Sequence, residues 1–309
     1  MEQFSIVLQQ LFIFAFYVCA GIICVKCKIF NEESLSALSK FIINVTMPVM
    51  IFCNLLSGPA MSDLLSATPI FVFYLISFIV LYLLNCLVIK FFTFDKKKAN
   101  IYKALATFSN AGFIGIPLIL TLFNEQGAIF MSLCIVVDQL MLWTLGVKLT
   151  SNTKISTFQT LKKFVNPALI SIFIALIGLA FNLRLPSGVQ LALQPVGAMT
   201  SVLSLVYIGG LFCYSNVKEY FKNIEIYVII LLKMIVFPII IWITLKNFGT
   251  SADIVETVVL LNALPTMTSI AIFAKKYENH GEYAASVVLI TTLFSLLTLP
   301  LVSLFFAEI

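Results

Sequence analysis

The chain has 309 residues, of which 61% are apolar and only 11% charged. A soluble domain runs at about 45–50% apolar and about 25% charged, so this chain lacks the polar surface to cover a soluble fold of its size. That excludes a soluble enzyme, a disordered segment and a secreted disulfide scaffold, and leaves a polytopic membrane protein.

Eight stretches contain no Asp, Glu, Lys or Arg: 3–25, 41–62, 64–89, 104–124, 164–183, 185–217, 257–274 and 283–307. Each reaches the roughly 18–20 residues that cross the hydrocarbon core as a helix. Two more, 126–147 and 226–245, hold one charge each, Asp138 and Lys233. Ten spans are therefore predicted, with no separate soluble domain. Met1-Glu2-Gln3 has no positive n-region, so the first span reads as retained and not as a cleaved leader. Asn31, followed by Glu32 and Glu33, reads as the N-cap of the second span.

The net charge is +5, and its placement sets orientation. With the N-terminus outside, inner loops and flanks take sixteen of the nineteen basic residues, in clusters around Lys26, Lys96–Lys98, Lys154, Lys218 and Lys275. Arg184 and Lys246 fall outside, and Lys233 lies within a span. The reading is a multi-pass plasma-membrane protein with both termini outside. The basic loops are topology signals, so no nucleic-acid partner is expected. The seven cysteines read as small apolar packing residues.

The two halves match at an offset of about 153 residues. Ala99-Asn100-Ile101 is echoed by Ala252-Asp253-Ile254, Asn110 by Asn262, and Gly127 by Gly281. Five spans per copy is an odd number, so the second copy enters the membrane from the opposite side. The predicted fold is all-α: ten transmembrane helices as two inverted five-helix repeats, residues 1–149 and 164–309, joined by a cytoplasmic linker at 150–163.

The chemistry lies in spans four and nine. Span four reads Asn110-Ala111-Gly112-Phe113-Ile114-Gly115-Ile116-Pro117, and span nine reads Asn262-Ala263-Leu264-Pro265-Thr266-Met267-Thr268-Ser269. Mid-span Pro removes a backbone donor and clashes with the preceding turn, and Gly weakens the helix further. Paired interruptions at matching positions of inverted halves point to a transporter's binding site. Half-helix starts with free N–H groups favour an anion, and the two Asn side chains add donors and acceptors. Asn110, Gly112, Gly115, Pro117, Asn262, Pro265 and Thr266 are therefore the candidate substrate site. Lys233 joins them, because an intramembrane charge is functional by default; a Lys snorkelling to the inner surface is the alternative. Asp138 is the candidate for a coupling proton or sodium ion, with a structural counter-charge to Lys233 as the alternative. Glu256 reads as a first-turn acid at the outer end of span nine. The single histidine, His280, reads as a loop residue, and no hydrolase, metal or nucleotide motif is present, so neither enzyme activity nor a cofactor is expected.

The Asn110–Pro117 segment resembles the signature of the auxin efflux carrier family. So do Val137-Asp138-Gln139, Leu232-Lys233 with Pro238, and Glu282-Tyr283-Ala284-Ala285-Ser286-Val287-Val288. The resemblance covers essentially the whole chain. It implies a scaffold of spans 1, 2, 6 and 7 and a moving transport unit of spans 3–5 and 8–10, with spans 4 and 9 crossing at their breaks. The long central loop of the plant exporters is absent, which places the chain nearer the bacterial organic-acid permeases. The expected function is secondary transport of small mono- or dicarboxylates by an elevator-type alternation, as a homodimer through the scaffold spans. A sodium-coupled symporter of related fold and a non-transporting membrane receptor are the rival readings.

Overall fold

The computed structural model describes residues 2–57, 61–92, 94, 96–151, 167–215 and 217–304. Lys154, Lys162 and Lys163 of the expected linker lie outside the described residues. The first half contains α1 (Glu2–Lys26), α2 (Glu32–Phe41), α3 (Met47–Ser57), α4 (Met61–Ser66), α5 (Thr68–Val88), α6 (Lys96–Thr107), α7 (Ile116–Met141) and α8 (Val147–Thr150). The second contains α9 (Pro167–Ala180), α10 (Ser187–Tyr214), α11 (Val217–Tyr220), α12 (Ile224–Leu231), α13 (Phe237–Asn247), α14 (Ala252–Ala263), α15 (Thr268–Lys276) and α16 (Gly281–Ser303).

Seven helical stretches are long and apolar enough to cross a membrane, and two shorter apolar helices, Ala111–Phe123 and Pro167–Ala180, accompany them. The expected spans four and nine fall short of that length because each is broken: α6 stops at Thr107, and α14 stops at Ala263. The expected N-cap holds. The Asn31 side chain accepts from the Ser34 backbone N–H, and Ser34 accepts in return from the Asn31 N–H. Glu256 corrects its reading: the acid in the first turn of α14 is Asp253, while Glu256 is buried one turn on.

Three prolines leave the same mark, while Pro195 and Pro300 sit inside α-helices without it. Wide π turns at Ile42–Thr46, Ala111–Gly115 and Leu232–Val236 each end two residues before Pro48, Pro117 or Pro238. A proline ring cannot donate and crowds the carbonyl four residues back, so the preceding turn widens to i→i−5 bonding. Met47 N–H accordingly bonds Ile42 O, and Phe237 N–H bonds Leu232 O. A fourth wide turn, Leu142–Gly146, has no proline behind it.

Helical bonding continues through α7, yet a Cβ on Gly127 would stand 2.6 Å from the Ile119 carbonyl oxygen. In a straight helix residues eight apart are about 12 Å apart. The chain therefore doubles back there, and α7 contains a descending and a returning limb.

Apolar association offers little drive in lipid, so helix seams depend on close backbone approach. The seam of α1 with α10 is built this way. A Cβ at Gly21 would lie 2.0 Å from Val206 O, and one at Gly209 would lie 1.9 Å from Val18 O. Neither obstacle is a flexible side chain, so Gly209→Val is expected to prevent stable folding. Size-exclusion of the solubilised variant checks this, with loss of the monodisperse peak as the expected result.

At one end of the bundle, Lys98 of α6 pairs with Glu225 of α12 at 2.6 Å and sits 5.0 Å over the Tyr283 ring of α16. That cluster ties three helix starts together. At the same expected face, Lys275 of α15 lies 3.6 Å from Glu32 of α2.

Candidate functional site

The two broken spans meet. Between α6 and the following turn, Phe108-Ser109-Asn110 runs beside Pro265-Thr266-Met267, with Ser109 and Thr266 forming an antiparallel bridge. Asn110 N–H donates to Pro265 O at 2.9 Å, and Met267 N–H donates to Phe108 O at 3.0 Å. Irregular backbone at membrane depth needs such internal partners. Each break thus supplies the hydrogen bonds that the other has lost.

The helix ends at the crossing are treated unequally. The C-terminal carbonyls are covered. Thr266 Oγ1 donates to Leu105 O at 3.0 Å, Asn85 Nδ2 donates to Ala106 O at 3.2 Å, and Lys233 Nζ donates to Leu264 O. The starts at Ala111 and Thr268 have no side-chain cap bond from Asn110 or Met267. In these first turns Ala111 N–H bonds Ser109 O at 2.8 Å and Ile270 N–H bonds Met267 O at 3.2 Å, while the remaining first-turn N–H groups are donors without an intrahelical partner. Thr266→Val, which removes one hydroxyl at equal size, is expected to cost about 1–3 kcal/mol by orphaning Leu105 O. A lowered thermal midpoint in detergent is the readout.

Every polar or charged residue expected at the site is buried here. Asn110, Asn262, Thr266, Lys233 and Asp138 are all at most 3% exposed. Asn110 Nδ2 donates to Thr268 Oγ1 at 3.1 Å. Asn262 Nδ2 donates to Val258 O at 2.8 Å and to Ser77 Oγ at 3.0 Å. Lys233 joins the two breaks, because it also donates to Ser109 Oγ at 3.0 Å. Its amino group is engaged with protein oxygens and the side chain is buried. Gly115 is where the breaks press together: a Cβ there would be 2.8 Å from Leu261 Cδ2 and 2.9 Å from Leu264 Cδ1. At Gly112 the nearest atom to such a Cβ is Met47 Cε at 3.6 Å, so this edge of the crossing faces the start of α3. Pro117 and Pro265 act through the backbone, as the wide turn and the 2.9 Å acceptor show.

Asp138 accepts a hydrogen bond from Tyr74 OH at 2.9 Å, and its second oxygen, Oδ2, is buried without a partner. It lies within electrostatic reach of Lys233. Among the described residues the two form no ion pair within 4 Å.

Sequence reasoning missed the contribution of α5. Tyr74, Ser77 and Asn85 supply a partner to Asp138, Asn262 and Ala106 O respectively. A signal was present. These residues recur with Ile70, Phe78 and Leu81 on one buried helical face.

A cavity of about 380 Å³ opens between α2 and α15, with both members of the Glu32–Lys275 pair in its lining. It is bounded by one side of α2 and the adjoining turn, including Lys40 and Asn44, and by Tyr207 of α10. Trp143 and the Phe273 and Lys275 side chains of α15 close the other wall. The crossing residues are not part of its lining.

Comparison with known proteins identifies the family. The sequence model of a family described as "Membrane transport protein" matches residues 5–156 and 150–303. An uncharacterized transporter of Methanocaldococcus jannaschii is 26% identical over 287 residues, which cover 88% of this chain and 90% of the relative. With nearly its whole length matched, the chain is a multi-pass member of the membrane transport protein family, the auxin efflux carriers that its motifs resemble.

Proposed function

We propose that the protein is a secondary carrier of small mono- or dicarboxylates across the plasma membrane, working by elevator-type alternation. The observation that carries this is the crossing itself: two uncapped half-helix starts, Ala111 and Thr268, beside Asn110 and at the edge of Gly112. Helix starts with free N–H groups favour a carboxylate. The reading takes the chain as ten spans in two inverted repeats, with α6, the Ala111–Phe123 limb, α14 and α15 as the broken pair. The two corner glycines support the repeat, since a Cβ on Gly281 would also press on backbone, 2.8 Å from Lys275 Cα. So do the two separate family matches, one on each half.

The scaffold in this reading is α1, α2, α3, α9 and α10, and the remaining long helices are the moving unit. The cavity lies along the seam between them, and the Glu32–Lys275 pair crosses that seam. Homodimerisation through the scaffold completes the proposal.

The test is a thermal-shift screen of purified protein against a carboxylate panel, followed by uptake of the hits into proteoliposomes. Stabilisation and saturable uptake of at least one mono- or dicarboxylate is expected. Stabilisation by neutral or cationic solutes alone would overturn the substrate class. Orientation is tested by single-cysteine labelling in a cysteine-free background. Lys97→Cys is expected to resist impermeant reagent in intact cells, while Asp63→Cys reacts.

A further inference from the structure

Lys233 has a charge role at the crossing that substrate contact does not describe. Its ammonium sits where α14 ends, on Leu264 O, and on the Ser109 hydroxyl of the opposite break. The buried carboxylate of Asp138, with Oδ2 unpartnered, is within electrostatic reach. A helix C-terminal carbonyl, a hydroxyl and a carboxylate are the oxygen donors that broken-helix carriers turn toward a small coupling cation. A negative helix end also favours a positive charge on electrostatic grounds. Here the position is already filled by an amine that the covalent stem holds in place.

We propose that Lys233 is a tethered cation standing in the place of a dissociable one, so that the crossing is assembled and charge-balanced without sodium. This rests on the carrier reading above only for its consequence, a sodium-independent cycle. The occupancy itself is a matter of geometry. The charged and titratable groups around it come from two helices: Asp138 on α7 with Cys134 one turn before it, and Tyr74 of α5, which donates to Asp138. The carboxylate balances the ammonium. A second cation beside Lys233 would meet like charge in a buried, low-dielectric site.

The experiment uses purified full-length protein and reads thermal unfolding, with no substrate required. The wild-type midpoint is expected to be the same in sodium chloride and choline chloride at equal ionic strength. Lys233→Ala is expected to unfold at a lower temperature and to regain roughly 3–8 °C with n-propylammonium, which replaces the deleted Cγ-to-Nζ segment. Lys233→Met, whose own stem fills that space, is expected to gain nothing from the amine. A sodium-dependent rise in the wild-type midpoint would overturn the proposal. So would a Lys233→Ala protein as stable as wild type, or one lowered but indifferent to the amine. If Lys233→Ala yields no folded protein, Lys233→Arg replaces it: indifference to sodium supports the tethered charge, and stabilisation by sodium overturns it. A carboxylate screen without hits would count against the carrier reading and leave these results standing.

Discussion

Asn110→Asp is expected to abolish carboxylate uptake while leaving the protein folded. Asn110 precedes the helix start at Ala111, and an acid there is stabilising for the helix. The lost Nδ2 donor is replaceable, because the Thr268 hydroxyl that accepts from Asn110 can rotate and donate to the new carboxylate. The fold therefore has every reason to persist. The electrostatics of the two helix starts do not: a fixed negative charge occupies the field that attracts a substrate carboxylate. Asn110→Ala removes one hydrogen-bonding group and is expected to weaken binding by about 1–3 kcal/mol, tenfold or more. Uptake into proteoliposomes and thermal midpoints, measured on the same preparations, check both variants. Normal uptake by Asn110→Asp would remove the crossing from the binding site.

The second large effect is expected at Lys233. Lys233→Met keeps the stem and deletes the charge. Leu264 O and Ser109 Oγ lose their donor, and Asp138 loses the positive charge near it. Leaving a buried charge uncompensated costs about 3–5 kcal/mol. Lys233→Met is thus expected to lower stability sharply, and Asp138→Asn added to it is expected to recover part of the loss. A double variant as unstable as the single one would mean that Asp138 and Lys233 are energetically independent.

The breaks were legible in the sequence for a local reason. Gly112, Gly115 and Pro117, and Pro265 in span nine, violate helix formation inside apolar runs, and no tertiary contact overrides a missing N–H. The Asn31 cap is local in the same way. The wide turn at Leu142–Gly146 was not legible, because no proline forces it. Glu256 was misread because its helix starts at Ala252, which places it past the first turn and inside the bundle. The partner of Lys233 was also hidden. Its acceptors, Leu264 O and Ser109 Oγ, come from segments 31 and 124 residues away, and a backbone carbonyl carries no residue signature. Lys98 read as one of a run of inner-loop charges, whereas it lies on α6 against Glu225, a pairing set by how α12 packs.

Two ion pairs at the same end of the bundle allow a direct test of the moving unit. Glu32 and Lys275 face each other across the proposed seam, and Lys98 and Glu225 lie within the proposed moving unit. Each pair is replaced by two cysteines in a cysteine-free background and joined with a short bifunctional thiol reagent in proteoliposomes. If one body slides past the other, linking positions 32 and 275 stops carboxylate uptake, and linking 98 and 225 leaves it running. Undiminished uptake with 32 and 275 linked would contradict the account.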